Sequence, residues 1–250
     1  MYSILEHYLS TNHILMIGMI VTFILTFFLL EHPFSFLPSD QGRAFAVNGS
    51  LSKGKLRGVG FIFVLCFLIS SVLFLPLDVE YVIYGILLFA MMISGYLDDA
   101  SKTPWNEYKK GLIDLVISVV AVLTYMNFNS TTICFGADEI VIPKALFLIL
   151  GVILIWVSVN VTNCTDGVDG LCASLCSVTL LAFGVLFAPI LQKYAMANFL
   201  FLSVLFAYLY FNSSPSSMLM GDAGSRALGF YIAVIALKST HPFIYLLLAA

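Results

Sequence analysis

Long uncharged stretches alternate with short polar segments along this chain. Apolar windows lie near 13–31, 58–76, 79–97, 111–128, 143–159, 172–190, 196–212 and 223–237. Most are close to the roughly 17–25 residues a helix needs to cross the hydrocarbon of a bilayer. They are apolar throughout rather than alternating, which favours helices over a membrane β-barrel. The pattern therefore predicts an all-α, polytopic membrane protein with eight complete transmembrane helices and a ninth beginning at PFIYLLLAA. No internal repeat or low-complexity linker divides it, so residues 1–250 read as a single transmembrane domain. Met1 to Leu30 lacks a basic leader and a small-residue cleavage site, and reads as a retained first span.

Composition agrees. The chain is 61% hydrophobic and 10% charged, against about 45–50% and about 25% in soluble domains. A net charge of −3 without a long basic cluster gives no reason to expect nucleic acid. The five cysteines, odd in number and without a CxxC pair, read as small hydrophobes.

Charge also orients the spans. Loops after spans 1, 3, 5 and 7 must share one face, and on it fall Arg43, Lys53, Lys55, Arg57, Lys102, Lys109, Lys110 and Arg226. The other face holds Lys144, Lys193 and Lys238, so the positive-inside rule makes the first face cytoplasmic. The N-terminus and the loop near residue 138 are then outside.

The same parity gathers the acidic motifs. GYLDD (95–99), NVTNCTDGVDGL (160–171) and MGDAGS (220–225) all reach the cytoplasmic face, placing Asp98, Asp99, Asp166, Asp169 and Asp222 at the membrane boundary. A carboxylate there is costly unless paired or solvated in a cavity, so a common site is expected. Carboxylates, asparagine amides and glycine loops suit Mg²⁺, which takes oxygen ligands and also binds substrate phosphates. Asp222 falls in a turn at a helix start, where free N–H groups favour phosphate. Lys53, Lys55 and Arg57 among glycines suit a pyrophosphate. Together they suggest metal-assisted phosphoryl transfer between a substrate in water and one in lipid. Each motif alone has a plainer reading: Asp98–Asp99 as a helix end, TDGVDG as a capping or calcium-type loop, GDAGS as a cap, and the lysines as topology signals. The four histidines are scattered and receive no role. Asp114, just inside span 4, is a satisfied interfacial residue or a site neighbour. A transporter remains as a distant alternative, though its carboxylates would lie mid-span rather than at span ends.

GYLDD, NVTNCTDGVDGL and FNSSPSSMLMGDAGSRALG resemble the polyprenyl-phosphate N-acetylhexosamine-1-phosphate transferases. The forms TDGVDGL and GDAGSRALG are most similar to the phospho-N-acetylmuramoyl-pentapeptide transferases among them. The resemblance, from about Ser39 to Leu237, implies attack of undecaprenyl phosphate on the β-phosphate of UDP-MurNAc-pentapeptide, giving lipid I and UMP with Mg²⁺ required. It implies Asp98 and Asp99 near the lipid phosphate and Asp222 as the principal metal ligand. It further implies Lys53, Asn163, Asp166, Asp169 and Asn212 as substrate-binding residues, with Asp169 near uracil. A bacterial plasma-membrane location follows, and homodimerisation is left open. Three departures stand out. KLRGVG replaces a TPTMGG-like segment, and Leu219 stands where an aromatic residue is frequent. The family's ten or so spans and histidine-rich loop also imply a C-terminal part that these 250 residues lack. A sister transferase using UDP-GlcNAc is the nearest alternative.

Overall fold

The computed structural model describes residues 1–32, 34–40, 42, 52–101, 103, 105–136 and 138–248. Arg43 and Lys102, used above to orient the loops, lie outside them. Among the described residues eleven helices follow in order: α1 Tyr2–Leu5, α2 Thr11–Glu31, α3 Gly60–Phe74, α4 Val79–Asp99, α5 Glu107–Phe128, α6 Lys144–Thr165, α7 Leu171–Leu186, α8 Ala188–Leu191, α9 Lys193–Asn212, α10 Gly221–Lys238 and α11 Pro242–Leu248. The chain is an all-α, multi-pass membrane protein, with a helix at each window read from the sequence.

Local chemistry sets the helix ends. The Asp78 and Asn106 side chains accept from Tyr81 N at 2.8 Å and Tyr108 N at 3.0 Å, capping α4 and α5. The window at 172–190 divides at Phe187, because Pro189 cannot supply the N–H that would continue α7. Among the described residues five helices, α2, α4, α5, α6 and α9, are long and apolar enough to span a membrane; the apolar helices α3 and α7 are shorter.

The sequence pattern assigned no strand, yet Thr132–Phe135 (β1) and Asp138–Val141 (β2) pair antiparallel, Thr132 opposite Val141 and Phe135 opposite Asp138. With four residues each they are too short to leave a clear alternation. Cys134 N donates to Thr240 O at 2.8 Å, tying the hairpin to the chain just after α10.

Helix α10 is the axis of the bundle, buried at every position from Gly221 to Leu237. Its neighbours approach closely where glycine leaves no side chain in the way. A Cβ at Gly60 of α3 would meet Gly224 N at 2.1 Å, and one at Gly95 of α4 would meet Asp222 O at 2.3 Å. Far along α10, Lys238 donates to Glu80 Oε2 at 3.0 Å and Asn129 Oδ1 at 2.7 Å, joining the start of α4 to the end of α5. The opposite end of the same three helices carries the acidic motifs.

Candidate functional site

At that end, the last turn of α4, the first turns of α5 and α10, and the segment leading into α3 bring three carboxylates around two cations. Arg57 Nε donates to Asp99 Oδ1 at 2.8 Å, and its Nη2 to Asp222 Oδ1 at 3.3 Å. Lys110 Nζ reaches Asp98 Oδ2 at 2.6 Å and Asp222 Oδ2 at 3.3 Å. Asp222 is thus shared, one oxygen to each cation. Asp98 Oδ1 accepts from Trp105 N at 2.7 Å, while Asp99 Oδ2 accepts from Ala223 N at 3.0 Å, in the first turn of α10 where the helix dipole favours an anion. Asp40 adds a fourth carboxylate, 3.6 Å from Arg57 Nη1.

Backbone pairing fixes Arg57. Its N–H donates to Pro38 O at 2.8 Å, Leu219 N donates to Leu56 O at 2.8 Å, and Gly60 N donates to Met220 O at 3.0 Å. The segment 56–60 is thereby laid along the chain entering α10. Gly221 completes the approach: its φ of 67° favours glycine, and a Cβ there would lie 2.4 Å from Asp99 Oδ2. Burial weakens the case for a charged Arg57, but Asp99, Asp222 and Asp40 outweigh it and raise the guanidinium above its ordinary value.

A second cluster adjoins the first. Asn163, near the end of α6, donates to Ser225 Oγ at 2.9 Å, one turn along α10 from Gly221. Asp166 closes α6 as its C-cap and is buried. Asp169 accepts from Ser216 N at 3.0 Å and Ser216 Oγ at 2.8 Å, with Lys55 Nζ 3.8 Å away. Asn212 is buried, accepting from Gly170 N at 3.0 Å and donating to Met218 O at 2.9 Å, so it braces the 166–171 turn against the 213–220 loop. Lys53 is exposed, and among the described residues it has no partner. Of the three loop cations Lys53, Lys55 and Arg57, the two that reach these clusters are Lys55 and Arg57.

Lys110, in the sequence pattern only a topology charge, is central. The signal was present: cations are disfavoured in a first helical turn, yet Lys109 and Lys110 stand there. Arg226 was likewise counted as a loop charge. It is buried on α10 and paired with Asp114 of α5.

Among the described residues no group of three or more His, Cys, Asp and Glu is disposed to hold a metal alone. Mg²⁺ does not require one, since it is commonly bound by one or two carboxylates plus substrate phosphates. Asp98 and Asp222 already share one cation, the Lys110 ammonium. In their ordinary charge states Asp40, Asp98, Asp99 and Asp222 exceed Arg57 and Lys110 by two negative charges. Glu107, 3.7 Å from Lys110, is solvated and adds little to that surplus. The donor chemistry and the surplus both fit a divalent cation.

The model of glycosyl transferase family 4 matches residues 81–240, which include every cluster member except those before α4. A phospho-N-acetylmuramoyl-pentapeptide-transferase of Treponema pallidum (strain Nichols) is 35% identical over 92% of this chain and 70% of its own length. Proteins of the same name from Wolinella succinogenes and Halalkalibacterium halodurans are 30% and 28% identical, covering 82% and 95% of this chain and 66% and 78% of theirs.

Proposed function

This chain belongs to glycosyl transferase family 4, and from that premise we propose that it moves phospho-MurNAc-pentapeptide from UDP-MurNAc-pentapeptide to undecaprenyl phosphate, forming lipid I and UMP. The observation that carries the reading is the convergence of Asp98, Asp99 and Asp222 on Arg57 and Lys110 where the apolar helices end. An acceptor phosphate on a lipid and a pyrophosphate from water can meet only at such a boundary. We place it at the cytoplasmic face of a bacterial plasma membrane, on the charge distribution of the loops.

In the transfer, an oxygen of the lipid phosphate forms a bond to the β-phosphorus. The bond from that phosphorus to the bridging oxygen breaks, and UMP leaves with it. A phosphate is already an anionic nucleophile, so the protein's task is alignment and charge neutralisation. In this reading Asp98 accepts the last phosphate proton, whose ionisation lies near pH ~6. Arg57 offers a planar fork suited to two phosphate oxygens, and Lys110 a mobile point charge. Both exchange carboxylate partners for phosphate ones when substrate enters. Asp222, aided by Asp98, would hold Mg²⁺, which when bound neutralises pyrophosphate charge. Asn163, Asp166 and Asp169 form the nucleotide side, with Lys55 beside Asp169 in the role first expected of Lys53.

The test is UMP release by the purified protein, given polyprenyl phosphate, Mg²⁺ and either UDP-MurNAc-pentapeptide or UDP-GlcNAc. Release from the first alone supports the reading. Release from UDP-GlcNAc alone reassigns the chain to the sister activity, and release from neither removes both.

A further inference from the structure

The ion pair Asp114–Arg226 is not used by the transfer chemistry. Asp114 stands four residues after Lys110 on α5, and Arg226 four after Asp222 on α10; at that spacing each pair shares a helix face. Side chains of the two helices therefore meet in two rungs. Lys110 Nζ lies 3.3 Å from Asp222 Oδ2, and one turn further in Arg226 Nη2 donates to Asp114 Oδ1. The polarity reverses between them: the first cation is on α5, the second on α10. Asp114 and Arg226 are each 2% exposed, and Arg226 Nε and Nη1 bond to no described group.

Stability alone is a weak reason for such a pair, because apolar residues of similar size often do as well or better. Its effect on the neighbouring rung is specific. We infer that Asp114 and Arg226 are positioning residues that keep Lys110 and Asp222 on one another, an inference that rests on the transferase reading only for its effect on rate. Without the Arg226 charge, the buried Asp114 carboxylate keeps its charge only by drawing Lys110, the nearest cation on its own helix face, away from Asp98 and Asp222. Without the Asp114 charge, Arg226 turns to Asp222 on its own helix. Without either, the first rung stands as before. The two single losses disturb the carboxylates in opposite senses, one removing a cation from Asp222 and the other adding one.

The test uses the full chain in detergent, as wild type, Asp114→Asn, Arg226→Met and the double variant, with Mn²⁺ as a paramagnetic probe of cation binding. Arg226→Met should bind Mn²⁺ about threefold tighter or more and Asp114→Asn about threefold weaker, the modest end of coupling within one ion-pair network, with the double variant near wild type. In transfer assays each single variant should lose about tenfold in kcat with little change in nucleotide KM, and the double should recover. Arg226→Lys, which keeps the charge, should bind Mn²⁺ as wild type does. Shifts in the same direction for both single variants, a double variant that fails to return, or a wild type that binds no Mn²⁺ would overturn the inference. If Arg226→Met does not fold, Asp114→Asn and its repair by Arg226→Met still decide it. Opposite Mn²⁺ shifts in a protein without transfer activity would uphold the rungs and sink the transferase reading instead.

Discussion

Gly95→Ala places one methyl group where α4 and α10 touch. Its Cβ would lie 2.3 Å from Asp222 O, 2.5 Å from Asp222 C and 2.6 Å from Ala223 N, all backbone atoms that no rotamer change can move. Ordinary van der Waals contact begins at 3.4 Å, so the helices must separate by about 1 Å at this point. The displacement falls between Asp98–Asp99 on α4 and Asp222 on α10, and it also strains the Ala223 N–Asp99 bond of 3.0 Å. Overpacking of this kind costs about 1–3 kcal/mol of stability. A misplacement of about 1 Å between reacting groups can cost ~10²-fold in rate. Gly85→Ala supplies the control on the same helix, because its Cβ would meet only Leu68 Cδ2 at an ordinary 3.8 Å. That change should be neutral or slightly stabilising, since alanine exceeds glycine by about 1 kcal/mol in helix propensity. Thermal unfolding in detergent and UMP release would be measured for both. Gly95→Ala that matches Gly85→Ala in both assays would show that α4 does not approach α10 as described, and the site would lose its geometry.

The other expectations test single groups. Asp222→Asn removes the carboxylate shared by Arg57 and Lys110; it should cut turnover more than tenfold, about 1.4 kcal/mol of barrier, and retention of a larger share would take Asp222 out of the metal role. Asp169→Ala should weaken UDP-sugar binding roughly 5- to 150-fold, the range for leaving a buried polar group unpaired, and shrink the preference for uridine over cytidine. Each carboxylate oxygen carries more than one lone pair, so Asp169 can accept from uracil N3–H while still holding Ser216. Loss of the Mg²⁺ response with the base preference intact would move Asp169 to the metal cluster. A cysteine at Ser101 should be labelled only from the cytoplasm and one at Asp138 only from outside; labelling of both from one side would refute the predicted orientation.

How much of this was legible in the sequence depended on whether the signal was local. Continuous apolar runs marked the helices to within a few residues, because an uninterrupted run of that length has few other uses. The carboxylate motifs were legible for the converse reason: polar groups at the ends of apolar runs are costly, and alternating span direction carries three such ends to the same side. Among the cations, Lys55 and Arg57 were legible as a phosphate cradle, whereas Lys110 was not, because a lysine beside a span serves topology as well as chemistry. Only the fold shows that Lys110 bridges Asp98 and Asp222 while Lys53 faces outward.

The placing of α10 at the centre is the instructive case. Its window, 223–237, looked like any other span, but its first half is crowded with small residues, Gly221, Ala223, Gly224, Ser225, Ala227 and Gly229. In a membrane, where lipid is as apolar as leucine, helices pack by close backbone approach, so a helix lined with small residues on several faces belongs in the middle. The Arg226 charge within that stretch carries the same message, because a guanidinium has no tolerable place against lipid and must point at a partner helix. Its partner, Asp114, is 112 residues away. No local rule joins them: Asp114 reads as an interfacial residue or a site neighbour and Arg226 as a loop charge, yet both fall inside apolar windows, and two such charges of opposite sign in one bundle are a contact that a sequence alone invites one to look for.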